Sequence, residues 1–172
     1  MDTYPFDKLM QLADGAAPTT ANGIGQVAAA NQILNLGAPL PRTDLGIIGE
    51  LGRMKMAIVI DISAMVISTS DDIYAIDVMG SNSANGANSV HLGGLKVGYG
   101  TLLPGSGTTA AHSAGGAPAG TGSDSYPGRY IIFVDMMQND VDYQYLFLYV
   151  TVAGTAKSIT FTAFASKWPC YQ

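Results

Sequence analysis

The sequence predicts an all-β fold, a jelly-roll or Greek-key β-sandwich of about seven or eight antiparallel strands with a short N-terminal helical arm. Three observations predict it. Strong helix formers are scarce, with Glu50 the single glutamate beside 21 glycines and 8 prolines in 172 residues. Several segments alternate apolar and polar residues with the period of two that a half-buried strand requires. No segment alternates strand with helix as a parallel α/β sheet demands. The length suits one domain, divided into an arm and traverse over 1–32, a sandwich over 33–166 and a tail over 167–172.

At the start, Pro5 fits the first position of a helix in which Phe6, Leu9, Met10 and Ala13 share one apolar face, ended by Gly15. From Ala16 to Ala30 the chain is small and polar without a period, which predicts a surface traverse. Ile33 to Leu36 predicts a first short strand. Met54, Met56, Ile58, Ile60 and Ile62 then alternate with Lys55, Ala57, Val59, Asp61 and Ser63. After the turn-forming Ser68 to Asp72, Tyr74, Ile76 and Val78 continue the alternation as far as Gly80, and the two strands together predict an antiparallel hairpin.

Val90 to Leu95 and Val97 to Leu103 are weaker strands, broken by Gly93, Gly94, Gly98 and Gly100, where bulges or close backbone approach are expected. Residues 104–128 are nearly all Gly, Ala, Ser, Thr and Pro, too poor in large apolar side chains to offset their ordering entropy, and predict a mobile insert. Arg129 to Asp135, Tyr143 to Val152 and Ser158 to Ser166 complete the strands. Pro169 cannot donate to a ladder and ends the pairing before the tail.

Composition excludes several function classes. Eight Lys and Arg against thirteen Asp and Glu give a net charge of -5 with no basic run, which argues against a nucleic-acid partner. No apolar run reaches membrane-spanning length and no signal-peptide pattern opens the chain, so a protein made in the cytoplasm is expected, without a membrane partner. Cys170, the single cysteine, cannot form an internal disulfide.

Catalytic signatures are weak. Ala111-His112-Ser113-Ala114-Gly115 has the letters of a nucleophile elbow, but low-complexity loop flanks it where a strand and a helix are needed. His91 and His112 have no metal ligands at suitable spacing. Asp135, Asn139, Asp140 and Asp142 could offer oxygens to calcium, yet their spacing misses the calcium-loop pattern and a solvated turn explains them. Gly23-Ile24-Gly25-Gln26-Val27-Ala28 lacks both the preceding strand and the following acid of a dinucleotide loop. No enzyme, cofactor or metal is therefore predicted.

One feature stands out. On the strand from Tyr143 to Val152, Leu146, Leu148, Val150 and Val152 form one face, which leaves Tyr143, Tyr145, Phe147 and Tyr149 on the other. An outward aromatic row of that size needs a cover: another subunit, the chain's own arm or insert, or a sugar. Phe6, Leu9 and Met10 in the arm and Trp168 in the tail add large apolar groups that could reach a neighbour.

The block Asp7-Lys8-Leu9-Met10-Gln11-Leu12-Ala13-Asp14-Gly15, the strands Met54 to Ile62 and Ile73 to Asn82, and Gly128-Arg129-Tyr130 carry a resemblance, continued by Tyr143 to Val152 and Ile159 to Ser166. They resemble the small capsid cement (decoration) proteins of short-tailed bacteriophages, of the Bordetella-phage type. That resemblance implies a jelly roll on the outer surface of the virion, self-associating as a homodimer or homotrimer and clamping the phage major capsid protein. The insert over 104–128 and the Trp168 tail depart from the family pattern. The other reading of the aromatic row is a carbohydrate-binding or tail-associated β-sandwich module.

Overall fold

The computed structural model describes residues 8–37, 55–67, 72–98, 127–138, 141–155 and 157–167. Within them the strands are β1 (Gln11–Asp14), β2 (Gly23–Ile24), β3 (Gln26–Val27), β4 (Ala30–Asn31) and β5 (Leu34–Asn35). Then come β6 (Lys55–Met65), β7 (Ile73–Ser81), β8 (Val90–Gly98), β9 (Gly128–Asp135), β10 (Met137–Gln138), β11 (Val141–Asp142), β12 (Tyr145–Ala153) and β13 (Ile159–Lys167). Phe6, the insert as far as residue 126, Asn139, Asp140 and the tail from Trp168 lie outside the described residues.

Two sheets face each other. The first has the order β1-β13-β6-β9; the second has the order β2-β12-β7-β8, with β5 also pairing β12 on the edge that β2 occupies. Taking β2 and β5 as one interrupted edge strand, the sheets read 1-8-3-6 and 2-7-4-5, with every pairing antiparallel. Of the seven links between these eight strands only the fourth, the hairpin from β7 to β8, stays within one sheet; the other six cross from sheet to sheet. That is the jelly-roll order.

Alternation explains the core. Ile58, Ile60, Tyr130, Val134, Ala163 and Ala165 point inward from the first sheet and meet Tyr74, Ile76, Val78, Leu146, Leu148 and Val150 from the second. The corner between β6 and β7 is tied by one buried hydroxyl. Tyr74 Oη donates to Val66 O at 2.6 Å and accepts from Ser158 N at 3.1 Å. Burial of that phenol pushes its pKa up. Beside it, Gly154 (φ +120°) leaves room for the buried Asp72 carboxylate, which any Cβ at residue 154 would overlap.

The expected helical arm is not formed over residues 8–14. Lys8–Met10 make one 3-10 turn and Gln11–Asp14 continue as the edge strand β1, paired with Phe164, Ala163 and Thr162 of β13. The ladder offered by β13 and the burial of Leu12, which the helical spacing had left out, outweigh the local pattern. Nor do β6 and β7 form the expected hairpin. β6 pairs β13 and β9 while β7 pairs β12 and β8, so the two strands belong to different sheets. The two weaker strands over 90–103 merge into β8 as far as Gly98, and the traverse supplies the short strands β2 to β4.

Candidate functional site

The outward face of the first sheet carries an apolar strip. Directly opposed residues in an antiparallel sheet share a face. Phe164, Val59 and Ile131 therefore form one outward row across β13, β6 and β9, and Ser166, Ala57 and Phe133 form the next. Ala57, Val59 and Phe164 are buried without joining the core between the sheets, whereas Ile131 and Phe133 on the edge strand β9 are 38% and 46% exposed. The strip is thus dry in its centre and open at its edge. A third row closes it: Arg129 Nε and Nη2 donate to Asp61 Oδ1 and Oδ2 at 2.7 and 2.8 Å. This exposed two-pronged pair gives the strip a polar rim and adds little stability.

The aromatic row expected on β12 is not a row. Phe147 is buried, because the β7–β8 loop folds over it: a Cβ on Gly86 would stand 3.1 Å from the ring and 3.6 Å from Ile33 Cδ1. Short polar side chains shape that loop. Ser81 Oγ donates to Ala87 O and accepts from Ser83 N, while Asn85 Oδ1 accepts from Ala87 N. Tyr143 precedes β12 and packs inward against the core beside Gly80 and Leu92. Tyr145 is half-buried and only Tyr149 stands well exposed, at 40%. Of the arm residues, Leu9 is exposed and Met10 packs partly against the core.

A different group shares the outward face of the second sheet with Tyr149. Tyr149, Asp77 and Gly94 lie in one row across β12, β7 and β8. His91 Nε2 stands 3.2 Å from Asp77 Oδ1. His91 and Gly94 are three residues apart, which in a regular strand would put them on opposite faces. A bulge at Leu92 brings both outward, since Val78 pairs Gly93 and Met79 pairs His91. A Cβ at residue 94 would lie 2.7 Å from Asp77 Oδ1 and 3.0 Å from His91 Nε2, so these two exposed side chains would have to shift to accept one.

A groove of about 460 Å³ opens between β1 and β2, lined among others by Asp14, Thr19, Thr20, Asn22, Gln26 and Asn31. Its acid is engaged internally. Asp14 Oδ1 accepts from Ala16 N at 2.9 Å and Oδ2 from Ala28 N at 2.7 Å, and these two bonds hold the carboxyl below the usual carboxylate range. Asn22 Oδ1 accepts from Val152 N, so it anchors the edge strand. The glycines of the Gly23 to Ala28 segment serve packing: a Cβ on Gly25 would stand 2.7 Å from Leu12 O.

Among the described residues no three His, Cys, Asp or Glu side chains come together as a metal site. Asp142 is held in the short β10–β11 hairpin, and the His112-Ser113 string and Asp140 lie outside the described residues. Sequence reasoning missed the β9 strip and the Asp77–His91 pair. The available signal for the first was the second face of β6, where Ala57 and Val59 are themselves apolar. Comparison with protein-family models and with curated proteins gives no match.

Proposed function

We propose that this chain is a bacteriophage structural protein, a capsid cement or decoration protein that binds the outside of the head and stabilises contacts between major capsid subunits. The observation that carries the reading is the outward face of the first sheet, where Ile131 and Phe133 remain partly exposed beside the buried Val59, Ala57 and Phe164. The apolar area that Ile131 and Phe133 still expose is of the kind a protein docking on a repeated lattice covers. The jelly-roll strand order and the likeness of the sequence blocks to phage cement proteins support the same reading.

In this role the work is adhesive. Each copy buries an apolar strip with a polar rim against a capsid subunit or a second copy of itself, and many modest contacts combine over the shell. The acidic net charge of -5 disfavours capture by nucleic acid. The test is sedimentation of the purified protein with empty phage heads. Saturable co-sedimentation that weakens when Ile131 and Phe133 are both changed to threonine is expected; a protein that stays in the supernatant at all concentrations overturns the reading.

A further inference from the structure

We propose that the outward face of the second sheet is a shallow sugar-binding platform, in which Tyr149 stacks against one face of a pyranose ring while Asp77 and His91 bind its hydroxyls. The platform lies on the sheet opposite the apolar strip, so it is independent of the capsid reading. Its parts are set side by side by the ladder itself: Tyr149 is the direct cross-strand neighbour of Asp77, and Asp77 that of Gly94. The Asp77 carboxylate engages His91 Nε2 through Oδ1, which leaves Oδ2 as its second acceptor. Both side chains are accessible, His91 at 57% and Asp77 at 32%. Lys96, exposed on the same face of β8 two residues beyond Gly94, adds a donor.

Two local features serve this arrangement. The bulge at Leu92 turns His91 outward, and glycine at 94 keeps the floor flat enough for the carboxylate and imidazole to meet. The resulting chemistry is one ring face flanked by two acceptors, Asp77 Oδ2 and His91 Nδ1, and one donor, Lys96, without a deep cavity. A pyranose matches it, since it offers an apolar C–H face and a rim of hydroxyls that both donate and accept. A protein partner fits less well, because interface centres are depleted in charged side chains. A nucleic acid fits poorly too, with Lys96 the nearby lysine on a chain of net charge -5.

The test titrates the full chain with neutral and N-acetylated trisaccharides built from glucose, galactose, mannose and N-acetylglucosamine, read by saturation-transfer NMR and calorimetry. At least one should bind in the millimolar range, and Tyr149→Ala should weaken it about tenfold. Gly94→Ala leaves the tyrosine in place but displaces the Asp77 side chain from His91, so it should weaken the same sugar several-fold while the protein stays folded. Ile131→Thr and Phe133→Thr, on the far sheet, should leave sugar binding unchanged. The proposal is overturned if none of these sugars binds at about 10 mM. It is equally overturned if a sugar binds with the same affinity after Tyr149→Ala, or if Tyr149→Ala abolishes head binding instead.

Discussion

Changing Ile131 and Phe133 together to threonine should weaken attachment to phage heads by about 30-fold per copy. The figure follows from the exposed fractions. Fully burying an Ile or Phe side chain stabilises by about 1.5–3 kcal/mol. Scaling by the 38% and 46% still open to water, closure of a partner over both contributes about 2 kcal/mol. Threonine keeps the strand propensity of the edge while removing most of that apolar area. The portions already buried in the free protein are lost as well, about 2–3 kcal/mol, so the melting temperature should fall by roughly 5–10 °C. Circular dichroism therefore accompanies the binding measurement, to establish that the variant is folded at the temperature used. Binding is read as the concentration that half-saturates purified empty heads in a sedimentation assay, with Tyr149→Ala as the control on the opposite sheet. A folded double variant that saturates heads within about twofold of the parent concentration would refute the assignment of this strip.

Three further variants test the structure itself. Tyr74→Phe removes the hydroxyl that joins Val66 O to Ser158 N, and urea unfolding should show a loss of about 1–3 kcal/mol. The same variant should flatten the alkaline limb of the stability curve: burial raises the phenol pKa of Tyr74, so its contribution is complete below the unfolded tyrosine value and is lost as pH rises through the folded one. Asp14→Asn should flatten the acid limb. The folded Asp14 carboxyl titrates below its ordinary value, so its contribution holds above that value and disappears as pH falls through the folded one. Gly154→Ala should abolish cooperative folding or lower the melting temperature by more than Tyr74→Phe, since its Cβ would overlap the buried Asp72 carboxylate and come within 2.8 Å of Asp72 Cα; an unchanged melting curve would contradict the corner geometry.

The long strands were legible because their two faces meet different surroundings. Ile58, Ile60 and Ile62 of β6, and Leu146, Leu148 and Val150 of β12, show the core face directly. What alternation cannot show is which strand lies beside which. β1 satisfied a helical spacing, and only the distant segment Thr162 to Phe164 decides that it extends along a sheet. β6 and β7 follow one another in sequence yet belong to opposite sheets, a choice made by the partners β13 and β12 far downstream. Tyr145, Phe147 and Tyr149 share the second face of β12, whereas Tyr143 packs against the core, and the cover over Phe147 comes from Gly86, whose position depends on loop hydrogen bonds. The Asp77–His91 pair was hidden because the bulge at Leu92 breaks the very alternation used to assign faces.

The placement of β13 bears on when the protein can form during its own synthesis. That strand sits between β1 and β6, so a nascent chain still lacking Ile159–Lys167 has no partner for Gln11–Asp14 and leaves one flank of β6 bare. The first sheet therefore closes only after β13 has left the ribosome, and until then β6 can pair on its β9 side alone. Truncation before Ile159 should consequently yield an insoluble product, and holding chaperones should engage the unfinished chain longest.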